Sequence, residues 1–311
     1  MKMRFYLTPI FDLVSSFKFS IMKIFALPGN TALARGIARH LDAELGVFTV
    51  RCFPDGESYV RLLCEVEGQQ AVIVCTLFQP DDKILPLYYL TKLLKESGAK
   101  SVTLVAPYLA YMRQDKVFNP GEAVTSDYFA ALLSSFVDRL ITIDPHLHRH
   151  GSMLEIYTIP CKVIHAAPLL SGWIRQHIAN PIIIGPDSES EQWVSDVAVA
   201  ADAPFLVLEK VRHGDRDVEV STPVVAAHKG HTPVLVDDII STAHTMIETV
   251  GHLRAVGMAA PVCIGVHPIF AGNAYDDLVG AGAAEVISCN TIQHPSNRID
   301  VAGMLATAIS E

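Results

Sequence analysis

Residues 233–245, PVLVDDIISTAHT, contain two hydrophobic patterns, and the fold class follows from the change from one to the other. Residues 234–236, VLV, form an apolar run rich in β-branched side chains, which is typical of a strand buried on both faces of a parallel sheet. From Thr245 onward, apolar residues recur at helical spacing as far as Gly257. We therefore predict a strand that gives way to a helix between Asp238 and Thr242, which places this turn at the ligand-binding edge of an open α/β sheet.

The polar side chains of this turn predict a sugar phosphate as its ligand. Ser241, Thr242 and Thr245 supply hydroxyl groups, and the unpaired amides at a helix N-terminus favour an anion such as phosphate. Asp237 and Asp238 would repel that anion, but they suit vicinal sugar hydroxyls or a hydrated magnesium ion. A simple helix cap would explain an isolated aspartate and serine, but two adjacent acids after a buried strand favour the ligand site.

The alternation of strand and helix continues along the whole chain from Met22. With 311 residues and 50% hydrophobic content, the chain is long enough for two cores. We predict two doubly wound α/β domains, residues 22–165 and 166–311, preceded by an extension of unknown role at residues 1–21. Strands are predicted at residues 24–27, 47–50, 71–76, 102–106, 140–143, 163–165, 182–184, 205–208, 234–236, 262–266 and 286–288. Helices are predicted after residue 30, at 84–96 and 124–136, before 178, from 191, from 245 and from 300.

Charge and cysteine usage exclude several classes of protein. The net charge of -9 and the lack of clustered cations argue against a nucleic-acid partner. The six cysteines are scattered and form no C-x-x-C pair, which predicts reduced thiols in a cytoplasmic protein. Residues 1–21 are too short and too charged for a membrane span and are not typical of a signal peptide, so we expect no membrane association.

Several motifs together resemble one enzyme family. Residues 234–245, VLVDDIISTAHT, look like the phosphoribosyl-pyrophosphate loop shared by type I phosphoribosyltransferases and ribose-phosphate pyrophosphokinases. Residues 107–115, PYLAYMRQD, resemble a pyrophosphokinase segment that transferases lack. Weaker similarities occur at residues 265–270, GVHPIF, and 290–292, NTI. The resemblance covers residues 22–311 and implies two type I phosphoribosyltransferase-like domains, each with a mostly parallel sheet flanked by helices.

The resemblance assigns the first half of the chain to ATP. Residues 53–57, FPDGE, are similar to a hairpin that reaches the adenine of ATP bound by a neighbouring subunit, which implies a homo-oligomer with a shared ATP site. Good turn chemistry alone would account for Asp55 and Gly56. A surface ion pair would be the alternative role of Arg113 and Asp115. The implied ATP-binding residues are Phe53, Asp55, Glu57, Arg113, Gln114, Asp115 and His146.

A magnesium ion is implied at two strand ends. His146, in residues 144–150 (DPHLHRH), matches the histidine that lies near magnesium and phosphates in the family. Asp187, in GPD, matches an aspartate that helps to hold magnesium and the sugar, and it could also cap the following helix. The three alternating histidines would also suit zinc, but a turn does not guarantee that ligands converge. We therefore favour His146 and Asp187 as metal-binding residues.

The catalytic residues implied are Lys210 and Arg212, in the sequence EKVR that resembles the base of the family's flexible loop. Without the other motifs, a solvated hairpin would be the simpler interpretation. The implied reaction transfers the β,γ-diphosphoryl group of ATP to the C1 hydroxyl of ribose 5-phosphate and releases AMP. The residues implied to bind ribose 5-phosphate are Arg212, Asp237, Asp238, Ser241, Thr242, Ala243, His244 and Thr245.

The turn at residues 241–245, which we call the phosphate turn, departs from the family pattern at His244, where a glycine is usual. A glycine permits a tight turn around phosphate, so we expect the histidine either to adopt the same dihedral angles or to add an imidazole to the site. Three other functions remain open at this point. They are a catalytically silent regulatory homologue, a phosphoribosyltransferase, and a relative that uses a different sugar phosphate.

Overall fold

A computed structural model describes residues 22–147, 149–185, 191–208, 211–213, 217–219 and 228–311, with the backbone alone for 211–213 and 217–219. Two six-stranded sheets form the framework, and every strand pair within them is parallel. The predicted fold class, two α/β domains with parallel sheets flanked by helices, is confirmed. The domain boundary at residues 165 and 166 stays a prediction.

The first sheet has the strand order β2-β1-β5-β6-β7-β8. Its central strands are short apolar runs such as QAVIV, which is buried from its second residue onward and therefore suits a sheet covered on both faces. Its strands are β1 (Met22–Ala26), β2 (Glu44–Leu45), β5 (Gln70–Val74), β6 (Ser101–Ala106), β7 (Arg139–Ile143) and β8 (Cys161–Ile164). The helices of this half are α1 (Thr31–Leu41), α2 (Asp81–Glu96) and α3 (Thr125–Ser134), with a short 3₁₀ turn at Met153–Glu155.

A hairpin separate from the first sheet corrects one strand prediction. Residues 47–50 were expected in the alternating α/β pattern, but β3 (Phe48–Cys52) pairs antiparallel with β4 (Ser58–Leu62) in a two-stranded sheet of its own. The Asp55–Gly56 turn between them, with Gly56 at φ 93°, reverses the chain. The side chains of residues 53–57 are exposed at the tip of this hairpin.

The second sheet has the order β10-β9-β13-β14-β15-β16. All seven residues of its strand VCIGVHP are buried, which includes an unusual buried histidine. Its strands are β9 (Pro181–Gly185), β10 (Phe205–Val207), β13 (Thr232–Ile240), β14 (Val262–Pro268), β15 (Glu285–Cys289) and β16 (Asn297–Ile299). A hairpin follows β10, formed by β11 (Val211–His213) and β12 (Asp217–Glu219). The helices are α4 (Ala167–His177), α5 (Glu191–Ala201), α6 (His244–Ala255), α7 (Ala274–Gly280) and α8 (Ala302–Ser310).

Strand β13 is longer than the strand predicted at residues 234–236. It ends at Ile240, inside the interval Asp238–Thr242 in which the sequence placed the change from strand to helix. Parallel pairing with β14 extends it, since Ile239 lies opposite His267 and Ile240 opposite Pro268. Asp237 and Asp238 therefore lie on a strand of the sheet, so their backbone is held by its neighbours.

One apolar cluster connects the two sheets through the helices between them. It contains Ile24 and Ile141 of the first sheet, Ile183 and Val234 of the second, and buried residues of α1, α4, α5 and α8. Helices α2 and α3 cover the other face of the first sheet, and α6 and α7 cover that of the second. Among the described helices, none is both long and apolar enough to cross a bilayer.

The last helix of the chain returns to the first sheet. Helix α8 packs on α1, and Arg139 at the start of β7 donates to the backbone oxygen of Ala308 at 3.0 Å. This contact caps the C-terminal end of α8 with a cation, which complements the helix dipole. The carboxyl end of the chain therefore stabilises the docking of the two halves.

The close approach of α1 and α8 gives a test of this packing. A Cβ atom built on Gly36 would lie 2.8 Å from Ala302 Cβ, so Gly36→Val should overpack the contact and lower the free energy of unfolding by about 1–3 kcal/mol. As a matched helical control, Gly172 of α4 has no neighbour within 4 Å of a built Cβ, and Gly172→Ala should raise stability by up to about 1 kcal/mol. Urea unfolding measures both, and equal shifts in the two variants would contradict the close crossing.

Candidate active site

The carboxyl ends of the two sheets face each other, and an ion pair joins them. His146 follows β7 in the first sheet, and Asp238 lies on β13 in the second. His146 Nδ1 is 3.0 Å from Asp238 Oδ2, and the two side chains are 24% and 33% exposed. A ligand can reach this pair from solvent. The structure thus brings together a residue matched to ATP and metal and a residue matched to the sugar.

The His146 contact sets the charge of Asp238. Burial alone would raise the pKa of this carboxyl, but the hydrogen bond and the charge of His146 outweigh burial and hold the pKa below its usual range. The Asp238 backbone N–H donates to Asp237 Oδ1 at 3.0 Å, which fixes the two acids relative to each other. Asp238 is therefore an ionised acceptor at neutral pH, suited to sugar hydroxyls.

A narrow crevice beside the ion pair is lined by both sheets, with Tyr108, Arg113, His146 and Ile239 among its residues. Burial raises the pKa of the Tyr108 phenol, while the charge of Arg113 lowers it and that of Asp238 raises it. Both charges therefore act on the same hydroxyl. The predicted ATP residue Arg113 lies at this crevice with an exposed side chain, and Gln114 next to it is half-buried.

Asp115, the third predicted ATP residue of this segment, has a partner in another loop. Its carboxylate is 3% exposed and accepts a hydrogen bond from Arg149 at 2.8 Å. The ion pair weighed from the sequence joined Asp115 to Arg113, so the partner is different. Because Arg149 lies in the loop after β7, the contact ties the 107–115 segment to the loop that carries His146.

The phosphate turn lies between β13 and α6. Two backbone bonds from the segment after β14 hold it: the N–H of Phe270 donates to Ile240 O at 2.9 Å, and the N–H of Ala271 donates to Ser241 O at 3.0 Å. Thr242 and His244 are exposed, and Ser241 and Thr245 are half-buried. The turn therefore presents hydroxyl side chains and the first amides of α6 at the sheet edge.

The left-handed residue of the turn is Ala243, with φ 58°, and His244 begins helix α6. Of the two alternatives expected for His244, the structure therefore does not show the first, in which the residue adopts the dihedral angles of a glycine. The strained position is one residue earlier, since an L-residue in this region costs about 1–2 kcal/mol. His244 instead places an exposed imidazole on the first turn of the helix, next to the predicted phosphate position.

Two glycine variants test this assignment. Ala243→Gly should raise the free energy of unfolding by about 1 kcal/mol, because glycine adopts positive φ without a steric penalty. His244→Gly should lower it by about 0.5–1 kcal/mol, because the residue is helical. Urea or thermal unfolding of both variants measures the effect. If His244→Gly were stabilising and Ala243→Gly destabilising, the strained residue would be His244 rather than Ala243.

Comparison with known proteins agrees with this architecture. The model for the N-terminal domain of ribose phosphate pyrophosphokinase matches residues 22–136, and the phosphoribosyl transferase domain model matches residues 152–302. A ribose-phosphate pyrophosphokinase of Methanopyrus kandleri is 33% identical over 93% of this chain and 98% of its own length. The chain belongs to the ribose-phosphate pyrophosphokinase family.

Other relatives share the full extent of the chain. The ribose-phosphate pyrophosphokinase of Methanothermobacter thermautotrophicus is 31% identical over 93% of this chain and 100% of its own. The crystal structure of phosphoribosylpyrophosphate synthetase from Mycobacterium smegmatis superposes with a TM-score of 0.81 at 27% identity, covering 93% of this chain and 97% of that one. Both halves of the family fold are thus present in one chain.

Some predicted residues of this family site lie outside the described part of the chain. These are Asp187 and Lys210. Arg212 has a described backbone only, in the middle of β11, where it pairs with Val218 of β12. The two-stranded hairpin follows β10 directly, so it begins at the carboxyl end of the second sheet. The roles of Lys210, Arg212 and Asp187 stay predictions.

The kinase-type reaction of the family needs a metal ion, and the donors near His146 fit one. Among the described residues, no group of three or more His, Cys, Asp or Glu side chains forms a complete metal site. A hard divalent cation that binds substrate phosphates needs just one or two carboxylates from the protein. Asp237 and Asp238 supply carboxylate oxygens at the sheet edge beside His146. These donors therefore suit a hydrated cation that would also be coordinated by the phosphate groups of a substrate.

Asp144 is a site-forming residue that the sequence analysis did not select. It is buried, and its backbone has a left-handed φ of 35°. Its Oδ1 pairs with His165 Nδ1 at 2.8 Å, and its Oδ2 accepts from the N–H of Ala166 at 2.8 Å. The hydrogen bond to Asp144 raises the pKa of His165. The strand-terminal position of Asp144 was the available signal, but the histidines that follow it form the more conspicuous pattern.

Proposed function

We propose that this chain transfers the β,γ-diphosphoryl group of ATP to the C1 hydroxyl of ribose 5-phosphate, which yields phosphoribosyl pyrophosphate and AMP. The observation that carries the proposal is the 3.0 Å contact between His146 and Asp238. It joins the segment matched to ATP with the strand matched to the sugar, as a reaction between the two substrates requires. Family membership over nearly the whole chain supports the same conclusion.

The ribose 5-phosphate would bind across β13 and the turn after it. The carboxylates of Asp237 and Asp238 would accept hydrogen bonds from the vicinal ring hydroxyls. The amides that begin α6 and the hydroxyls of Ser241, Thr242 and Thr245 would hold the 5-phosphate, because this end of a helix carries partial positive charge. The exposed His244 lies on the same turn and would add a donor to the phosphate.

The ATP would bind on the side of the first sheet. Arg113 at the crevice provides a planar cation for phosphate oxygens or for stacking on the base, and Gln114 provides amide groups for the nucleotide. We propose Mg²⁺ as the metal, held by His146 and Asp187, where it neutralises charge on the phosphates. Asp115 would act mainly through its bond to Arg149, which fixes the loop that carries His146.

The transfer itself requires in-line geometry rather than covalent help from the protein. The C1 oxygen forms a bond to the β-phosphorus, the bond from that phosphorus to the α-phosphate oxygen breaks, and AMP departs with the electron pair. The proton of the C1 hydroxyl leaves to solvent or to a phosphate oxygen. Lys210 and Arg212 would stabilise the negative charge that builds on the transferring group.

The assembly we propose is a homo-oligomer in which the hairpin tip reaches a neighbouring ATP site. The side chains of Phe53, Asp55 and Glu57 are exposed in the single chain, and the guanidinium of Arg51 lies 4.7 Å from the centre of the Phe53 ring. An aromatic ring and two acids held on a rigid turn suit contact with a purine base. The six free cysteines support a reducing, cytoplasmic compartment.

The decisive experiment follows nucleotides by chromatography after incubation with ATP and magnesium. AMP that forms in the presence of ribose 5-phosphate, and is absent without it, is the expected result. A phosphoribosyltransferase would instead consume phosphoribosyl pyrophosphate and a base, and release pyrophosphate without ATP. A folded native chain that binds ATP but yields no AMP would contradict the proposal and favour a silent regulatory homologue.

A further inference from the structure

A buried histidine of the second sheet holds the end of a strand in the first. His267, near the end of β14, is 1% exposed. Its Nε2 lies 3.0 Å from the backbone oxygen of Ile143 and 3.3 Å from that of Asp144. Its Nδ1 lies 3.0 Å from Thr291 Oγ1. The ring therefore spans the interface between the carboxyl ends of the two sheets, at the inner wall of the crevice that Arg113 and His146 also line.

The partners of His267 define which nitrogen carries the proton. A carbonyl oxygen can accept a hydrogen bond but cannot donate one. Nε2 must therefore carry the proton and donate to the carbonyls of Ile143 and Asp144. Burial lowers the pKa of His267, although the charges of Asp144 and Asp238 oppose that shift. The Thr291 hydroxyl, whose Oγ1 lies 3.0 Å from Nδ1, donates its proton to Val266 O at 2.7 Å. His267 thus spans the interface with Nε2 as the donor to the two carbonyls.

The same interface is held by a second polar contact between the sheets. Thr76 lies two residues after the end of β5, and its hydroxyl donates to Thr291 O at 2.5 Å. Its own N–H donates to Asn30 Oδ1 at 2.9 Å, and Asn30 is also buried. Thr291 therefore receives contacts from both His267 and the first sheet. These polar groups would be costly to leave unpaired, so they fix how the two sheet ends meet.

The strand end that His267 holds carries His146. Asp144 is in a left-handed conformation, with its carboxylate bound to His165 and Ala166 and its carbonyl facing His267. Two residues later, the chain places His146 against Asp238. We propose that His267 is a positioning residue: through the carbonyls of Ile143 and Asp144 it sets the place of His146 relative to Asp238, and so aligns the nucleotide with the sugar. This role rests on the proposed function.

Two substitutions separate the contacts of the ring. His267→Gln places an amide N–H where Nε2 was, so it keeps the donor to the two carbonyls. His267→Asn reaches the position of Nδ1 and Thr291 but leaves the carbonyls of Ile143 and Asp144 without a donor. We expect His267→Asn to lower kcat for AMP formation about 10- to 100-fold, because a small misplacement of a reacting group is costly. The KM for each substrate should change less than about threefold, and His267→Gln should restore most of kcat.

A double-substitution experiment distinguishes positioning from general destabilisation. If His267 acts through His146, the loss in His267→Asn should largely disappear when it is made in a His146→Ala background. Cys263→Ala is the matched control, since Cys263 is a fully buried residue of the same strand. It should lower the unfolding temperature and leave kcat unchanged. A loss of the same factor in both backgrounds, or a His267→Asn variant with native kcat, would overturn the proposal.

Two further measurements keep the test decisive. If His267→Asn does not fold, Thr291→Val removes the hydroxyl that fixes the ring and should lower kcat about threefold in the native background alone; native kcat there would count against the proposal. If the native chain forms no AMP, the proposed reaction is contradicted, and a crystal structure of a His267 variant decides the positioning role. A His146 ring that stays 3.0 Å from Asp238 would refute that role, and a displaced ring would support it.

Discussion

Lys210→Ala should reduce ribose 5-phosphate-dependent AMP formation about 10³-fold, with the KM for ATP and for ribose 5-phosphate changed less than about threefold. The reason is that a cation on the loop after β10 would meet the charge of the transferring diphosphoryl group, which is greatest in the transition state. Under the proposed function, binding of the ground-state substrates would rely on other groups, namely Arg113 and the turn 241–245. Initial rates at varied concentrations of each substrate measure both constants.

A second lysine provides the control for loss of charge. Lys229 lies beyond the same hairpin, in the turn before β13, and its side chain is exposed. Lys229→Ala changes the net charge by the same amount and should leave kcat within about twofold. A raised KM with native kcat in Lys210→Ala would assign Lys210 to substrate binding. Equal losses in the two variants would show that the overall charge of this surface, rather than Lys210, controls the rate.

The local part of the site could be predicted from the sequence, because it depends on short-range patterns. The apolar run at 234–236 identified a buried strand, and the hydroxyl residues after it identified a turn at a helix N-terminus. The last residue of β13 could be predicted only to within the interval 238–242. Its last residues are held by pairing with β14, and the bond from Phe270 to Ile240 fixes the turn after it. The positive φ of Ala243 follows from that constraint rather than from local propensity.

The hairpin at residues 48–62 also shows how far strand pairing can be predicted from local sequence patterns. The β-branched pattern near Val50 correctly indicated a strand, and Asp55–Gly56 correctly indicated a turn. The alternating pattern alone did not specify its partner, and the implied pairing across the turn came from the resemblance of residues 53–57 to a hairpin. The pairing with β4 removes this segment from the central sheet and leaves its tip exposed.

Contacts between distant segments of the chain could not be predicted from the sequence. His146 and Asp238, and His267 and Ile143, are pairs that form where the two sheets meet, while Asp115 and Arg149 join two loops of the first half. In the sequence, none of these polar residues shows which partner the folded chain gives it. The packing of α8 on α1 contributes to that docking, and small residues such as Gly36 and Ala302 gave no distinctive pattern.

Asp238→Asn should lower kcat/KM for ribose 5-phosphate about 10³-fold. The variant keeps the size of the side chain but loses the charge that strengthens the contact with His146 and that would strengthen the proposed hydrogen bonds from sugar hydroxyls. Two such charge-assisted bonds, each weakened by about 2 kcal/mol, amount to about 4 kcal/mol, or three factors of ten. The KM for ribose 5-phosphate should rise more than that for ATP, because His146 would still be held by its loop.

The pH dependence of unfolding tests the contact between His146 and Asp238 independently of activity. The folded-state pKa of Asp238 lies below its usual value of 3.8, so its carboxylate stabilises the fold above that pH, and the contribution is lost as pH falls through the folded-state value. Urea unfolding should therefore show a smaller loss of stability in acid for Asp238→Asn than for the native chain. Asp276→Asn, at an exposed position of α7, removes the same charge elsewhere and should match the native chain in activity. If Asp238→Asn raises the KM for ATP instead, the carboxylate serves the nucleotide, and the sugar must bind to Asp237 and the turn after it.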